Sequence, residues 1–257
     1  MLKTTLIKAA LDAGKLIKAF TAGSFAIQSK DSVNNLVTEA DHASEKLIIN
    51  IIRETFPDHY ILTEETGAHP TDSQYKWIID PIDGTVNFAN GIPICCVSIA
   101  IEKDGEMLMG VVYNPFIEEF FFAEKGKGAF LNDQPISVSK KNALIESCLV
   151  TGFPYKYPES GGLLETFGSF IKAGVPVRRL GSAAIDLCWV ACGRFDGYYE
   201  FSLNAWDSAA GFLIVEEAGG KVTDFKGNRY SPYQEKIIAT NGQIHDQLVN
   251  WINQIIG

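Results

Sequence analysis

The sequence predicts a mixed protein, an α+β half followed by an α/β half, and three observations carry this. The first sixty or so residues hold two stretches with apolar side chains at helical spacing. From about residue 94 to 124 the pattern changes to closely spaced strand-like runs. Past about residue 140, strand-like and helix-like segments alternate. The halves divide into 1–140, with the acidic motifs, and 141–257. No long linker separates them, so they are expected to pack as one body.

Taken in order, Leu2, Leu6, Ala9, Ala13, Leu16, Ile17 and Phe20 share one stripe, which predicts an amphipathic helix. A polar linker follows through Ser29, Lys30, Asp31, Ser32, Asn34 and Asn35. Thr38 reads as an N-cap, with Asp41 where a capping box usually has Glu or Gln. Leu47, Ile48, Ile51, Ile52 and Phe56 continue this second helix, and Pro57 ends it. Residues 60–63 and 77–79 read as short strands, each running into acids. Strand-like runs at 95–101, 108–113 and 119–122 are separated by turn-like Lys103-Asp104-Gly105-Glu106 and Asn114-Pro115, which suggests an antiparallel meander. Strands are then expected near 149–151, 177–180, 198–199, 221–223 and 237–239. Helices are expected near 163–173, 183–191, 206–218 and 243–256.

The composition bounds the function. The chain has 257 residues, 46% hydrophobic and 21% charged, which is enough apolar material for a large core without disulfide or zinc staples. Lys and Arg number 22 against 31 Asp and Glu, a formal charge of -9. Nucleic acids and anionic membranes are bound through Lys and Arg, so neither is an expected partner. Five cysteines, an odd count with two adjacent, read as buried reduced thiols. Lysines and Asp12 interrupt the first twenty residues, so no apolar leader segment is seen, and a cytoplasmic location is expected. His42, His59, His69 and His245 show no metal-ligand spacing and read as surface or structural residues.

The string Trp77-Ile-Ile-Asp-Pro-Ile-Asp-Gly-Thr85 carries chemistry. An apolar strand delivers Asp80 at its end, and Pro81 interrupts the ladder. Asp83 follows three residues later, so both carboxylates can converge. Gly84 lets the backbone pass close to a ligand, and the amides of Gly84 and Thr85 can open a short helix that attracts phosphate. Two acids beside a phosphate site conflict unless a cation lies between them, and Mg²⁺ takes carboxylates together with phosphate oxygens. An isolated Asp-Gly would be an ordinary hairpin turn. Glu64-Glu65 and Asp207 have the same placement at the end of a strand or the start of a helix. Alone, the first reads as solvated surface and the second as an N-cap.

With these motifs in order, the sequence resembles the inositol monophosphatases. Trp77 to Phe88 looks like their first signature, and Trp206-Asp-Ser-Ala-Ala-Gly211 like their second. The Glu64-Glu65 pair and Leu36-Val-Thr-Glu-Ala-Asp41 match as well, over essentially the whole chain. Val86 and Ser208 are small departures. The resemblance implies a layered αβαβα sandwich of the inositol monophosphatase and fructose-1,6-bisphosphatase type, a homodimer and lithium sensitivity. It implies one Mg²⁺ held by Glu64, Asp80 and the main-chain oxygen of Ile82, and a second held by Asp80, Asp83 and Asp207. A third, looser Mg²⁺ would lie near Glu64 and Glu65. Thr85 and Asp41 would orient and deprotonate the attacking water. Gly84 and Thr85 would bind phosphate, Gly181, Ser182 and Ala183 would line the sugar-alcohol site, and Glu200 would grip substrate hydroxyls. Lys30 matches a lysine near the metal mouth.

A charge count agrees with several metals. Four acids carry about -4, and a phosphate monoester adds roughly -2. No Lys or Arg lies inside the motifs to offset this. The implied reaction is hydrolysis by metal-activated water without a covalent intermediate. Inositol 1-phosphate is the first expected substrate. Histidinol phosphate, 3′-phosphoadenosine 5′-phosphate, fructose 1,6-bisphosphate and NADP remain alternatives, because the signatures bind only the phosphate they share. A second phosphate would need Arg178 or Arg179, whereas Glu200 would repel it. An interaction protein acting on transcription or RNA machinery is the alternative of a different class.

Overall fold

The structure, a computed structural model, describes residues 1–21, 26–29, 36–154 and 162–256. Lys30 and most of the polar linker lie outside the described residues. Helix α1 (Leu2–Phe20) is followed by a two-stranded antiparallel ribbon, β1 (Ile27–Ser29) and β2 (Leu36–Thr38), and by α2 (Glu39–Thr55). The capping box at the start of α2 forms as the sequence predicts: Thr38 accepts from the Asp41 amide, and the Asp41 side chain accepts from the Thr38 amide.

An eight-stranded sheet comes next. It contains β3 (Tyr60–Thr63), β4 (Gly67–His69) and β5 (Tyr75–Asp83), which the short helix α3 (Thr85–Ala89) follows. It continues through β6 (Cys96–Lys103), β7 (Glu106–Asn114), β8 (Glu119–Glu124), β9 (Ala129–Leu131) and β10 (Gln134–Pro135). The strand order is β10-β9-β8-β7-β6-β5-β3-β4, and β5 to β10 form the expected antiparallel meander. The pairing of β3 with β5 is parallel. Its two edge regions, β4 and β9–β10, escape sequence reading because their strands are only two or three residues long, too short to show a pattern.

The second sheet has five strands, ordered β12-β11-β13-β15-β14. Its elements are β11 (Leu149–Thr151), α4 (Leu163–Lys172), β12 (Val177–Arg179), α5 (Ala183–Ala191), β13 (Gly197–Glu200), α6 (Ala205–Glu217), β14 (Lys221–Thr223), β15 (Ile237–Thr240) and α7 (His245–Ile256). Strands β12, β11 and β13 are parallel, and β15 and β14 close the sheet antiparallel.

Burial explains the layering. In β5 and β6, Trp77, Ile79, Val97, Ile99 and Ile101 face the core beneath α1 and α2, whereas Ile78, Cys96 and Ala100 face the core shared with α5 and α6. Strands buried on both faces must read as near-continuous apolar runs, as these do. A third core under α4 and α7 covers the other face of the five-stranded sheet, with Phe170, Tyr199, Ile238 and Leu248 at its centre. The order is therefore α1–α2, sheet, α5–α6, sheet, α4–α7: the expected αβαβα sandwich. All five cysteines are free; Cys148 and Cys192 are half-buried, not buried. Among the described residues no helix is long and apolar enough to cross a membrane.

His245 ties α7 to the second sheet. Its ring lies 2.9 Å from the hydroxyl of Thr223 on β14 and 2.9 Å from that of Thr240 on β15. Burial, with help from Lys221, pushes its pKa from 6.5 down to about 4. The unfolded chain therefore binds a proton at higher pH than the folded one. The stabilisation is complete above the unfolded pKa and is lost progressively as pH falls from about 6.5 to about 4. Thermal melts between these limits should show a smaller acid-induced drop for His245→Gln than for the unsubstituted protein; equal drops would remove His245 as a cause.

Candidate active site

The site starts with a bulge. Asp80 pairs with Ser98 and Asp83 with Cys96, so β5 spends three residues where β6 spends two. Alternation alone would put Asp80 and Asp83 on opposite faces of the sheet. The extra residue returns Asp83 to the face of Asp80, while Ile82 turns into the α1–α2 core. Pro81 suits this position because it has no amide hydrogen to donate to the ladder. Its carbonyl accepts from the Ser44 hydroxyl of α2 at 3.0 Å.

Beyond the bulge, Gly84 has φ +89° and serves as the N-cap of α3. A Cβ there would lie 2.9 Å from the Ile94 carbonyl oxygen and 3.2 Å from that of Gly181, so only glycine fits. The Thr85 hydroxyl lies 3.2 Å from Asp41 Oδ1 and 3.1 Å from the Ile82 carbonyl oxygen, and its single proton can serve one of them at a time. Asp41 is held by Thr38, whose amide and hydroxyl both donate to Oδ2, at 2.8 and 2.5 Å.

A cavity of about 210 Å³ opens against these residues. Glu64, Asp80, Ile82, Asp83, Gly84 and Thr85 line it from the first sheet. Gly181, Ser182, Ala183, Glu200 and Asp207 line it from the second half. Asp41 stands behind Thr85, fully buried, rather than in the wall. Glu65 is not in the wall either: its amide donates to Glu45 Oε2 at 3.0 Å, in the turn between β3 and β4. Glu45 also accepts from Thr63 and is 2% exposed, a buried organiser that the sequence reading missed. Asp207 is the third residue of α6, and its carboxylate accepts from the amide of Asn204, the N-cap.

Asp83 joins the two walls. Its Oδ2 accepts from the Ser182 hydroxyl and the Ala184 amide, both at 2.7 Å, at the N-terminus of α5. Glu200, at the end of β13, accepts from the Tyr198 hydroxyl at 2.5 Å. A Cβ on Gly152 would lie 2.2 Å from both Glu200 oxygens, so the bare backbone there makes room for this acid. Gly152, Phe153, Arg179 and Asp186 also line the cavity and were not among the expected site residues. Arg179 was weighed as a phosphate ligand only. Asp186 leaves a readable trace, as the one charged residue in the apolar helix α5.

The electrostatics follow from burial. It raises the pKa of Asp80 well above the carboxylate range, reinforced by Glu64, Asp83 and Asp207. Burial likewise raises Asp207, with Asp83 adding to it. Asp83 rises to about 6, because burial outweighs its bonds to Ser182 and Ala184. Burial takes Glu200 to about 7. Among the described residues, no three His, Cys, Asp or Glu side chains are drawn together closely enough to hold a metal ion as they stand. The donor set nonetheless fits a hard divalent cation: it offers only carboxylate and carbonyl oxygens, and its acids raise one another's pKa.

Comparisons with known proteins show relatives over nearly the whole chain. The model of the inositol monophosphatase family matches residues 2–256. A Nus factor SuhB of Haemophilus influenzae is 44% identical over 254 residues, covering 98% of this chain and 95% of that protein. An inositol-1-monophosphatase of Synechocystis is 46% identical over 231 residues, covering 86% of this chain and 78% of that protein. The crystal structure of extragenic suppressor protein suhB from Bartonella henselae matches with a TM-score of 0.94 at 38% identity, covering 98% of each chain.

Raised carboxyl pKa values mean that the folded state binds protons more tightly than the unfolded chain. The metal-free protein is therefore stabilised most below the unfolded carboxylate range and loses that stability as pH rises through about 6 for Asp83 and about 7 for Glu200. A cation that neutralises the acids offsets the loss. The rise in melting temperature on adding Mg²⁺ should grow from about pH 5.5 to about pH 8. An increment independent of pH would separate Mg²⁺ from these carboxylates.

Proposed function

The chain belongs to the inositol monophosphatase family, and from that premise we propose that it is a Mg²⁺-dependent phosphatase of small phosphate monoesters, with inositol 1-phosphate as substrate. The observation that carries the reading is the single cavity lined by Glu64, Asp80, Asp83 and Asp207, with Thr85 and Asp41 at its edge. Glu64, Asp80, Asp83, Asp207 and the Ile82 carbonyl would hold two Mg²⁺, and Glu65 would serve a third. Bound Mg²⁺ supplies charge neutralisation and Lewis acidity to the phosphate and to water.

The chain's own residues supply the rest. Asp41 accepts the Thr85 proton, which leaves the Thr85 oxygen free to accept a hydrogen bond from a water molecule and aim it at phosphorus. Asp41 is fully buried and its pKa is raised, chiefly by desolvation, so it is suited to take a proton. The amides of Gly84 and Thr85 begin α3 without intrahelical partners and can bind phosphate oxygens. Gly181, Ser182, Ala183 and Glu200 receive the leaving alcohol on the opposite wall. The molecule would act in the cytoplasm as a homodimer, with its site between the halves 1–140 and 141–257.

A second reading is favoured by one observation, the likeness to the protein named Nus factor SuhB: action on transcription through a partner. It needs no hydrolysis, and the two roles can coexist on one fold.

Phosphate release from inositol 1-phosphate should require Mg²⁺ and stop with chelator. Asp207→Asn should lower kcat/KM by about 100-fold or more, since even outer-shell changes at metal sites cost about 10- to 100-fold. Histidinol phosphate, 3′-phosphoadenosine 5′-phosphate, fructose 1,6-bisphosphate and NADP in the same assay identify the preferred ester. No release from any of them would retire the phosphatase reading in favour of the partner reading. Thr85→Ala should lower kcat about 10²-fold or more, with little change in KM, because it removes the group that aims the water.

A further inference from the structure

We infer that Asp186 is a specificity-determining residue of this site: with Glu200 it forms a two-carboxyl floor that accepts hydroxyls from a polyhydroxylated leaving alcohol. The inference rests on the phosphatase reading and concerns the end of the cavity away from the proposed metals.

Asp186 is 1% exposed, and among the described residues neither of its carboxyl oxygens has a hydrogen-bond partner. It nevertheless lines the cavity that also holds Asp80 and Asp207. The rest of its helix is Ala-Ala-Ile before it and Leu-Cys-Trp-Val-Ala after it, and most of these side chains fill the core between the sheets. A carboxyl buried in such surroundings without a partner costs stability. The helix dipole favours an acid in the first turn, but an exposed acid serves it equally well. Burial without a partner in the protein is the feature that needs a reason, and a ligand hydroxyl supplies one.

The placement fits. Asp186 follows Ser182 by four residues and Ala183 by three, so it lies one turn behind them on the helix face that bounds the cavity beside Asp83. Glu200 arrives from the end of β13, with Oε2 engaged by Tyr198. Asp186 and Glu200 lie close enough for Glu200 to act on Asp186, and among the described residues Arg179 is the cation that acts on both. Two acids against one arginine make this end of the cavity repel a second phosphate. Hydroxyls, which donate hydrogen bonds, suit it. Closed to bulk water, Asp186 accepts such a bond without competition from solvent. A leaving group lacking hydroxyls would leave both acids unmatched, and sites built to bond a hydroxyl discriminate strongly against analogues without it.

The test compares kcat/KM for inositol 1-phosphate and for para-nitrophenyl phosphate, whose leaving group carries no second hydroxyl. Asp186→Leu keeps the volume and removes the unpartnered acid; Asp186→Asn guards against a folding failure, and thermal melts accompany both. In at least one folded variant, the polyol ester should lose about ten-fold relative to the aryl ester, the worth of one hydrogen bond. Free inositol should also inhibit aryl-ester hydrolysis more weakly in that variant. A ratio within about two-fold of the unsubstituted protein, or equal loss on both esters, would overturn the inference. If the unsubstituted protein releases phosphate from neither ester, the phosphatase reading fails first, before any variant is compared, and the inference falls with it.

Discussion

Asp83 accepts two hydrogen bonds from the first turn of α5, and the geometry of the cavity depends on them. One oxygen at the end of β5 holds both the Ser182 hydroxyl and the Ala184 amide. The pair fixes where the second sheet's helices meet the first sheet's carboxylates. It also explains why a glycine precedes Thr85. With α5 drawn this close, the Gly181 carbonyl comes within 3.2 Å of where a Cβ on Gly84 would lie. The acid that would bind a metal is thus also the acid that positions the opposite wall, so structure and chemistry place competing demands on one carboxylate.

That competition shows in the charge balance. Burial and mutual repulsion raise the acids on the cavity wall together, and among the described residues Arg179 is the one basic residue lining it. A fold that gathers carboxylates in a low-dielectric cleft stores electrostatic free energy that a divalent cation can release. Metal binding and the final packing of this cleft are then parts of the same equilibrium, and an assembly that forms the sheets need not yet have formed the site.

Much of this was legible in the sequence, and the limits have physical causes. Helices α1, α2, α4 and α7 carry apolar side chains at helical spacing, α5 and α6 read as longer apolar runs, and the capping box at Thr38 and Asp41 shows by residue type. The meander shows because its strands are long and buried on both faces. Edge strands β4, β9 and β10 are too short to impose a pattern. The signatures brought Glu64, Asp80, Asp83, Thr85 and Asp207 to one cavity, but nothing local predicted that the Glu65 amide would bond to Glu45. Gly152 was invisible for a different reason: its role is to be absent where Glu200 needs space, a relation across forty-eight positions of sequence. Asp186 carried a signal, a lone acid in an apolar helix, but spacing alone could not say what it faced.

The bulge in β5 has a consequence for how this protein can vary. Residues on either side of it are counted, not merely chosen: three steps from Asp80 to Asp83 oppose two on β6. Substitutions at Pro81 or Ile82 alter packing but preserve the count. Loss of a single residue between the acids would restore strict alternation with both acids still on one face, but would remove the bulge that turns Ile82 into the α1–α2 core; a three-residue step without the bulge would turn the second acid toward that core and cut its tie to α5. In this segment the number of residues, and not only their identity, decides which side of the sheet each carboxylate meets.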